Sequence, residues 1–265
     1  MSASPDSPEN GHAFVVMAYG DSPFLPGCLA SLHTQTEPSR IVVATSTPSP
    51  FIEASAAAAS APLIVNPGAA GIAADWNFAL NATDARFITL AHQDDVYFPQ
   101  FLKRSLELLA GSAGAAVSFT GYVEIGDGGS RVRSRTSLIK HALERMSLGG
   151  QTTPSPARMR AFLSFGNPLP CSSVTLDRSR LGGFAFSGDY RSNLDWDAWL
   201  RLLGEGVLFV RTPERLVGRR HNRLTATTAL TREGVRRAED LMIFRRLWPR
   251  PIADILALAY KVGYR

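Results

Sequence analysis

Four short apolar runs mark the first half of the chain, and amphipathic segments separate them. The runs cover residues 14–19, 41–44, 63–65 and 87–91. Between the runs, apolar side chains recur at helical spacing, as in the segment 25–32. Continuous apolar strands that alternate with helices are typical of a parallel sheet covered on both faces. The pattern therefore predicts an α/β fold with a mostly parallel central sheet flanked by helices.

The second half of the chain is less regular. Apolar runs predict strands over 116–125, 172–176 and 207–210, and periodic apolar positions predict helices over 194–203, 230–247 and 252–260. The basic, Ser/Thr-rich stretch 131–157 is interpreted as a loop. Since neither an internal repeat nor a linker-like segment occurs, we expect one domain over residues 1–265.

Polar side chains follow each predicted strand of the first half. Tyr19, Thr45 and Asn66 end three of the strands, and Asp94 and Asp95 follow the fourth. Ligands of such sheets bind beyond the carboxyl ends of the strands, so we expect these side chains to share one crevice. Two adjacent carboxylates are costly to bury unpaired, but they can hold a divalent cation against a phosphate. The alternative is that the pair caps the helix that follows Pro99.

Charge and composition argue against some classes of function. The net charge is +5, and the arginine excess lies mainly in the C-terminal half. No recognition-helix, zinc-finger or RNA-binding signature accompanies it, so we expect no nucleic-acid partner. Attraction to phosphorylated substrates or anionic lipid head groups explains the charge equally well. The two cysteines form no disulfide framework, and no signal-peptide core or membrane-length apolar run is present, which predicts a cytoplasmic protein.

The segment 252–260 allows two interpretations. It is short and amphipathic, and it follows a basic helix. Such a segment can lie on the inner face of a membrane, which makes peripheral membrane contact one expectation. Ordinary packing against the domain is the alternative, and we favour it slightly.

Several motifs, in order, resemble those of family 2 glycosyltransferases with the GT-A fold. Residues 15–19 resemble the first strand of that family, 31–36 a conserved helix end, and 41–43 its second strand. Asn66, Gly71 and Asn77 resemble a later donor-side segment. Residues 93–99 resemble its acidic metal motif, 195–202 the segment with its catalytic base, and 220–222 a late motif near the metal. Each motif is weak alone, but their order over most of the chain is specific.

The resemblance implies roles for individual residues. It implies a nucleotide-sugar donor half over about 12–125 and an acceptor half with C-terminal helices over about 126–265. Asp195 would be the catalytic base, with Asp197 as the second choice. Asp95 and His221 would hold a divalent metal, Mg²⁺ or Mn²⁺, and Asp94 would contact the nucleotide ribose. The residues that would line the donor site are Ala18, Tyr19, Thr45, Asp75, Trp76, Asn77 and Asp94.

The chain departs from the family pattern at three positions. The family usually has an aspartate after its second strand, where this chain has Ala44 and Thr45. It often has arginine before Asn77, where this chain has Trp76. Its metal motif often opens with aspartate, where this chain has His92, which we expect to pack rather than to bind metal. The nucleotide is therefore left open by the sequence.

The resemblance predicts an inverting, metal-dependent enzyme that moves a sugar from a nucleotide-diphospho-sugar to a glycan or lipid-linked acceptor in surface polysaccharide assembly. Two alternatives compete with it. Residues 91–95 are similar to the zinc motif of sugar de-N-acetylases, although here the motif lies far from the first strand. A non-catalytic, nucleotide-binding relative of the transferases would explain the missing aspartate after strand two.

Overall fold

The structure is a computed structural model and describes residues 11–68, 71–132, 135–220 and 234–262. The first half contains strands β1 (His12–Ala18), β2 (Arg40–Thr45), β3 (Leu63–Val65), β4 (Phe87–His92) and β5 (Val96–Tyr97), with helices α1 (Leu25–His33), α2 (Pro50–Ala58), α3 (Ile72–Leu80) and α4 (Phe101–Ala110). The second half contains strands β6 (Ala115–Ile125), β7 (Arg131–Val132), β8 (Val174–Asp177) and β9 (Leu208–Arg220). Its helices are α5 (Arg135–Leu148), α6 (Pro156–Ser164), α7 (Leu194–Gly204), α8 (Val235–Leu247) and α9 (Arg250–Val262).

The described strands form a single nine-stranded sheet in the order β3-β2-β1-β4-β8-β6-β9-β5, with β7 paired to β6. The first four strands in that order are parallel, and β6 pairs in parallel with β9. Strand β8 is antiparallel to both of its neighbours, as is β5 to β9. The predicted α/β architecture is therefore confirmed, with the antiparallel pairs concentrated in the second half.

Alternate residues of β1 serve the two faces of the sheet. Val15 joins one apolar core, which is covered mainly by helices α3, α6, α7 and α8. Phe14 and Val16 join the other core, which α1, α2 and α4 cover. Because both faces are buried, the central strands read as continuous apolar runs in the sequence.

The stretch 131–157 differs from the loop that we predicted. It contains strand β7, helix α5 and the start of α6. A buried ion pair anchors α5, since Arg211 of β9 donates to the Glu144 carboxylate at 2.6 Å and to the carbonyl of Gly149 at 3.0 Å. The arginine is 2% exposed. This tertiary pairing stabilises a helix whose polar sequence gives little sign of one.

Strand β9 is much longer than the four residues predicted for it. It runs for 13 residues beside β6, with register shifts near Gly121. Its charged residues at 211–215 interrupt the apolar run, which hid the strand in the sequence. Its partner β6 was easier to predict from the sequence, because all 11 of its residues are buried.

Helix α9 packs against the domain through one face. Ala253 is fully buried, and the Tyr260 hydroxyl accepts a hydrogen bond from the backbone N–H of Asn167 at 3.1 Å. Ile255 and Leu258 lie on its other face and are exposed. None of the described helices is long and apolar enough to cross a membrane.

Candidate active site

The loop after β4 carries the acidic pair, and the end of β9 holds it in place. The backbone N–H of Arg220 donates to Oδ1 of Asp95 at 2.8 Å, and its guanidinium donates to the carbonyl of Asp94 at 2.9 Å. The same guanidinium reaches the carbonyls of Gly126 and Asp127 and lies over the Phe24 ring at 4.2 Å. Arg220 therefore fixes this loop from three directions.

Asp95 has the donor atoms that a divalent cation requires. The residue is 3% exposed, and its Oδ2 is buried without a hydrogen-bond partner among the residues that the structure describes. A buried carboxylate oxygen with no partner is costly unless a cation or a proton compensates it. No three His, Cys, Asp or Glu side chains cluster within the described ranges. A site with one protein carboxylate fits Mg²⁺ or Mn²⁺ bound mainly through substrate phosphates and water.

Asp94 points its carboxylate toward the chain that leaves β1. Its Oδ1 accepts a 2.7 Å hydrogen bond from the Ser22 hydroxyl. Burial raises the pKa of Asp94, and the neighbouring Asp95 carboxylate raises it further, while Ser22 lowers it. The two adjacent acids thus differ in their environment. The alternative that they cap helix α4 is not supported, because Gln100 occupies the cap position and no side chain bonds there.

The carboxyl ends of β1, β2 and β4 meet, as the strand pattern predicted. The backbone of Tyr19 exchanges two hydrogen bonds with the side-chain amide of Gln93, at 3.1 and 2.9 Å. The Gly20 N–H donates to the Thr47 hydroxyl at 2.9 Å. The Tyr19 ring itself is 63% exposed. It is therefore available as a stacking platform beside the acidic loop.

A second carboxylate reaches the ends of β2 and β3 from helix α3. Asp75 accepts a hydrogen bond from the Ser46 hydroxyl at 2.9 Å and another from the Asn66 side-chain amide at 2.9 Å. The predicted donor residue Thr45 lies beneath them, 3% exposed, with its hydroxyl accepting from the N–H of Thr47. Asp75 thus places an acidic group beside the strand-two position where the family usually has aspartate.

Other predicted donor residues serve the packing between the two halves. Both polar atoms of the Asn77 amide bond to the backbone of Phe186, at 2.9 and 2.7 Å. The Trp76 ring lies between His92 and Phe186, with centroids 5.4 and 5.0 Å away. Ala18 is buried. His92 packs against Trp76 as we expected, and its Nε2 is buried without a hydrogen-bond partner from the described residues.

Asp195 lies in the first turn of α7, and helix α8 fixes that turn. The Glu239 carboxylate accepts hydrogen bonds from the backbone N–H groups of residues 191–193 at 2.7 to 2.9 Å. Asp195 itself accepts a hydrogen bond from the N–H of Trp196. A carboxylate that receives backbone N–H groups at a helix start stabilises that helix end. Glu239 therefore positions Asp195. Because Glu239 is far from Asp195 in the sequence, sequence reasoning did not find this role.

Asp95 and Asp195 belong to the same region, although 100 residues separate them in the sequence. Both carboxylates act on the Cys171 thiol, whose pKa is raised first by burial, then by Asp195 and then by Asp95. The first acid lies in the loop after β4, and the second lies in the first turn of α7. The fold thus brings the two predicted acids toward one centre.

Asp197, the second choice for the base, is buried and paired with two arginines. It is 2% exposed and pairs with Arg201 at 2.8 Å and with Arg246 at 2.6 Å. The Arg246 pair joins α7 to α8, the Arg201 pair lies within α7, and together they occupy both carboxylate oxygens. The sequence could have indicated one of them, because Arg201 follows at i+4 on the same helix face.

Asn167, Ser172 and Ser173 precede β8 and serve the fold. All three are buried, and Ser172 and Ser173 are fully buried. The Asn167 side chain accepts from the N–H of Leu169, and the Ser173 hydroxyl donates to the Pro170 carbonyl. These groups shape the turn before β8. The predicted metal ligand His221 lies outside the described residues.

A cavity of about 680 Å³ opens elsewhere, between residues such as Asn81, Arg86 and Arg178. Arg86 precedes β4 and Arg178 follows the antiparallel β8, so this cavity lies at the opposite end of the strands from Asp94. Its position separates it from the acidic loop. We therefore assign it no part in the candidate site.

The comparisons with known proteins agree with this geometry. The family model for glycosyl transferase family 2 matches residues 13–165, which is more than half of the chain. This chain belongs to glycosyl transferase family 2. The search of curated proteins found no match. Family membership confirms the resemblance inferred from the motifs and the enzyme class, a glycosyltransferase.

Solved glycosyltransferases share the fold at low sequence identity. A mannosyltransferase from Pyrobaculum calidifontis with GDP-Man and Mn²⁺ is 15% identical, with a TM-score of 0.64, over 98% of this chain and 72% of that one. A structure of S. aureus TarS residues 1–349 with UDP-GlcNAc is 14% identical, with a TM-score of 0.61, over 96% and 72%. Against another S. aureus TarS structure, this chain spans 43% of that chain.

A third structure with the fold contains a nucleotide and a metal. Glucosyl-3-phosphoglycerate synthase from Mycobacterium tuberculosis with Mg²⁺ and UDP is 14% identical, with a TM-score of 0.54. The match covers 85% of this chain and 80% of that one. At these identities the likeness establishes the fold and leaves donor and acceptor to be inferred from the site.

Proposed function

We propose that the chain is an inverting, metal-dependent glycosyltransferase that uses a nucleotide-diphospho-sugar donor. The observation that carries the proposal is the Asp95 carboxylate, which is buried, held by Arg220 through Oδ1, and without a partner at Oδ2 in the described part of the chain. Asp95 would hold the metal, and Asp94 would contact the ribose. Related structures with Mn²⁺ or Mg²⁺ support a divalent metal.

Glycosyl transfer breaks the bond between the anomeric carbon and the diphosphate oxygen. Negative charge develops on that oxygen, and a bound divalent cation would stabilise it. Asp95 would hold that cation near the carboxyl end of β4, where the phosphates of a nucleotide would lie. Arg220 keeps the loop rigid, since its hydrogen bonds hold the carbonyls of Asp94, Gly126 and Asp127.

The new glycosidic bond forms as the acceptor hydroxyl attacks the opposite face of the anomeric carbon. The hydroxyl proton must leave during this attack, and Asp195 would take it as general base. Asp195 suits the role because Glu239 fixes the helix start that carries it, and because its one hydrogen bond to the described residues is the local bond from the Trp196 N–H. Asp197 is excluded from this role by its two arginine partners.

The donor base would lie over the ends of β2 and β3. Asp75 keeps acceptor capacity beyond its bonds to Ser46 and Asn66, since an ionised carboxylate has about four lone-pair sites. It can accept from a ring N–H of uracil or guanine. The exposed Tyr19 ring offers a stacking surface near it. Asp75 would thus replace the aspartate that the family usually has after strand two.

The acceptor would be a glycan or a lipid-linked glycan, with a role in surface polysaccharide assembly. The support is the exposed apolar face of α9, with Ile252, Ile255 and Leu258, beside the basic end of α8. Such a face can rest on anionic lipid at the cytoplasmic side of a membrane. Sedimentation with anionic vesicles tests this, and an I255E/L258E variant should remain in the supernatant.

The direct test is a thermal-stability screen with UDP-, GDP- and dTDP-sugars, with and without Mg²⁺ or Mn²⁺. A ligand that binds only the folded state raises the melting temperature by mass action. We expect one nucleotide class to stabilise the protein only when metal is present. The absence of stabilisation by every donor, with product formation from none of them, would refute the proposal. Family membership favours the transferase over the de-N-acetylase, for which acetate release would be the corresponding readout.

A further inference from the structure

Ser22, in the loop that leaves β1, contacts the acidic loop directly. Its hydroxyl donates to Oδ1 of Asp94 at 2.7 Å, and the contact joins positions 72 residues apart in the sequence. A hydroxyl that donates to an ionised carboxylate makes a charge-assisted hydrogen bond, which is shorter and about twice as strong as a neutral one. The Ser22 hydroxyl therefore fixes the orientation of the Asp94 carboxylate.

The loop that carries Ser22 is itself held in place. The Ser22 N–H donates to the Gly20 carbonyl at 3.0 Å, and the Ser22 carbonyl accepts from the N–H of Leu25, the first residue of α1, at 3.2 Å. The serine oxygen also accepts from the N–H of Phe24 at 3.4 Å. The Phe24 ring in turn packs against the Arg220 guanidinium at 4.2 Å. Because these bonds use the acceptor side of the hydroxyl, its single proton is directed at Asp94.

Asp94 is held at two points and has one carboxylate oxygen left for a ligand. Its backbone carbonyl accepts from the Arg220 guanidinium at 2.9 Å, and its Oδ1 accepts from Ser22. Its Oδ2 makes no hydrogen bond or ion pair within the part of the chain that the structure describes. The side chain is half-buried. A carboxylate oxygen has two lone pairs, which match the two neighbouring hydroxyls of a ribose.

We propose that Ser22 is a positioning residue that directs Oδ2 of Asp94 at the ribose hydroxyls of the donor, and that the pair selects a ribonucleotide donor over a 2′-deoxyribonucleotide such as dTDP. The inference rests on the proposed function, which places the donor ribose at Asp94. A site built to hydrogen-bond a hydroxyl rejects the analogue that lacks it, because the polar group of the site is then left unpaired. Without Ser22 the carboxylate can turn about its broad terminal torsion, which weakens the discrimination.

The experiment compares the affinities of ribonucleoside and 2′-deoxyribonucleoside diphosphates by calorimetry in the presence of Mn²⁺. The probes are UDP with 2′-deoxy-UDP, and GDP with 2′-deoxy-GDP. For the base that binds, we expect the unmodified protein to hold the ribonucleotide about tenfold more tightly, which corresponds to one hydrogen bond to a charged group. S22A should reduce this ratio to about twofold, mainly by weakening ribonucleotide binding. S22T keeps the hydroxyl and should restore the ratio.

Two further variants distinguish positioning through Asp94 from a general structural effect. Because Ser22 acts through Asp94, S22A introduced into D94N should leave ribonucleotide affinity as it is in D94N alone. An equal loss from S22A in both backgrounds would show that Ser22 acts by another route, and would overturn the inference. The matched control S187A removes a different serine hydroxyl that donates to an aspartate, Asp189, at 2.8 Å. It should keep the ratio of the unmodified protein.

The same titrations separate a failure of this inference from a failure of the proposed function. If UDP, GDP and dTDP all fail to bind in the presence of Mn²⁺, the proposed function is wrong and the inference falls with it. If dTDP alone binds, or if the unmodified protein binds both sugars of a base equally, the function stands and the inference is wrong. If a ribose preference is present and S22A leaves it intact, the role of Ser22 is wrong.

Discussion

The backbone N–H of Arg220 donates to Oδ1 of Asp95 across 125 residues of sequence, and Oδ2 of the same carboxylate has no hydrogen-bond partner within the described ranges. One oxygen orients the group and the other is left for a ligand. This division explains how a single buried carboxylate can serve a metal whose remaining ligands come from the substrate.

The Arg220 side chain should matter through its geometry as well as its charge. R220K keeps the charge but cannot reach three carbonyls and the Phe24 ring together. We expect R220K to lower the free energy of unfolding by about 2 kcal/mol and to weaken donor binding. Urea denaturation and donor titration measure the two effects. An R104K variant, which changes a half-exposed arginine of α4, is the control. Equal donor affinity in R220K and the unmodified protein would contradict the proposal that Arg220 holds the acidic loop in the shape that binds the donor.

Substitutions of Asp195 and Asp197, which both lie in α7, should distinguish an effect on sugar transfer from an effect on stability. D195N should reduce transfer by a factor on the order of 10²–10⁴ while changing stability by less than about 0.5 kcal/mol. D197N loses ion pairs to Arg201 and Arg246, and should cost about 1–3 kcal/mol of stability while retaining transfer at low temperature. Product formation and urea denaturation of both variants check this. If D195N turns over at the original rate, the assignment of the base is wrong.

Asp75 should determine how tightly the nucleotide base is held. D75N retains the shape of the side chain and replaces one acceptor oxygen with an amide, which cannot accept from the base N–H. We expect nucleoside diphosphate binding to weaken about tenfold, with the metal dependence unchanged. D84N, which alters an exposed acid after α3, is the control. Unchanged affinity in D75N would remove Asp75 from base recognition.

Lys140 should make stability rise with pH. In the unfolded chain its pKa is near the ordinary value of 10.5, and in the folded protein it is about 7. Between these values the unfolded state binds more protons, so the free energy of unfolding increases with pH over this interval. K140M should therefore be more stable than the unmodified protein at about pH 6, and this advantage should shrink toward about pH 10. Urea denaturation across this range would show no such convergence if Lys140 had its ordinary pKa.

Much of the donor half was predictable because its strands are buried on both faces. Continuous apolar runs marked β1 to β4, and the polar residues at their ends met as predicted. Local motifs also led us to propose roles for the acidic pair and for Asp195, and those roles stay predictions. These features depend on short stretches of sequence and on the general behaviour of parallel sheets.

The remaining features depend on contacts between distant segments. Glu239 supports the start of α7 from 46 to 48 residues away, and no local pattern marks it. The ion pair of Asp197 with Arg246 spans 49 residues, so no local pattern in the sequence indicated it. Helix α5 was predicted to be a loop because the residue that anchors it, Arg211, is distant in the sequence. Arg211 also lies in the part of β9 that its charged residues made hard to recognise as a strand.

The central claim is that Asp95 holds the metal that binds the donor. The most direct measurement is thermal stability of the unmodified protein and D95N with the best nucleotide-sugar, with and without Mn²⁺. We predict a rise in melting temperature for the unmodified protein with donor and metal together, reversed by EDTA, and no such rise for D95N. An equal metal-dependent rise in folded D95N would contradict the account.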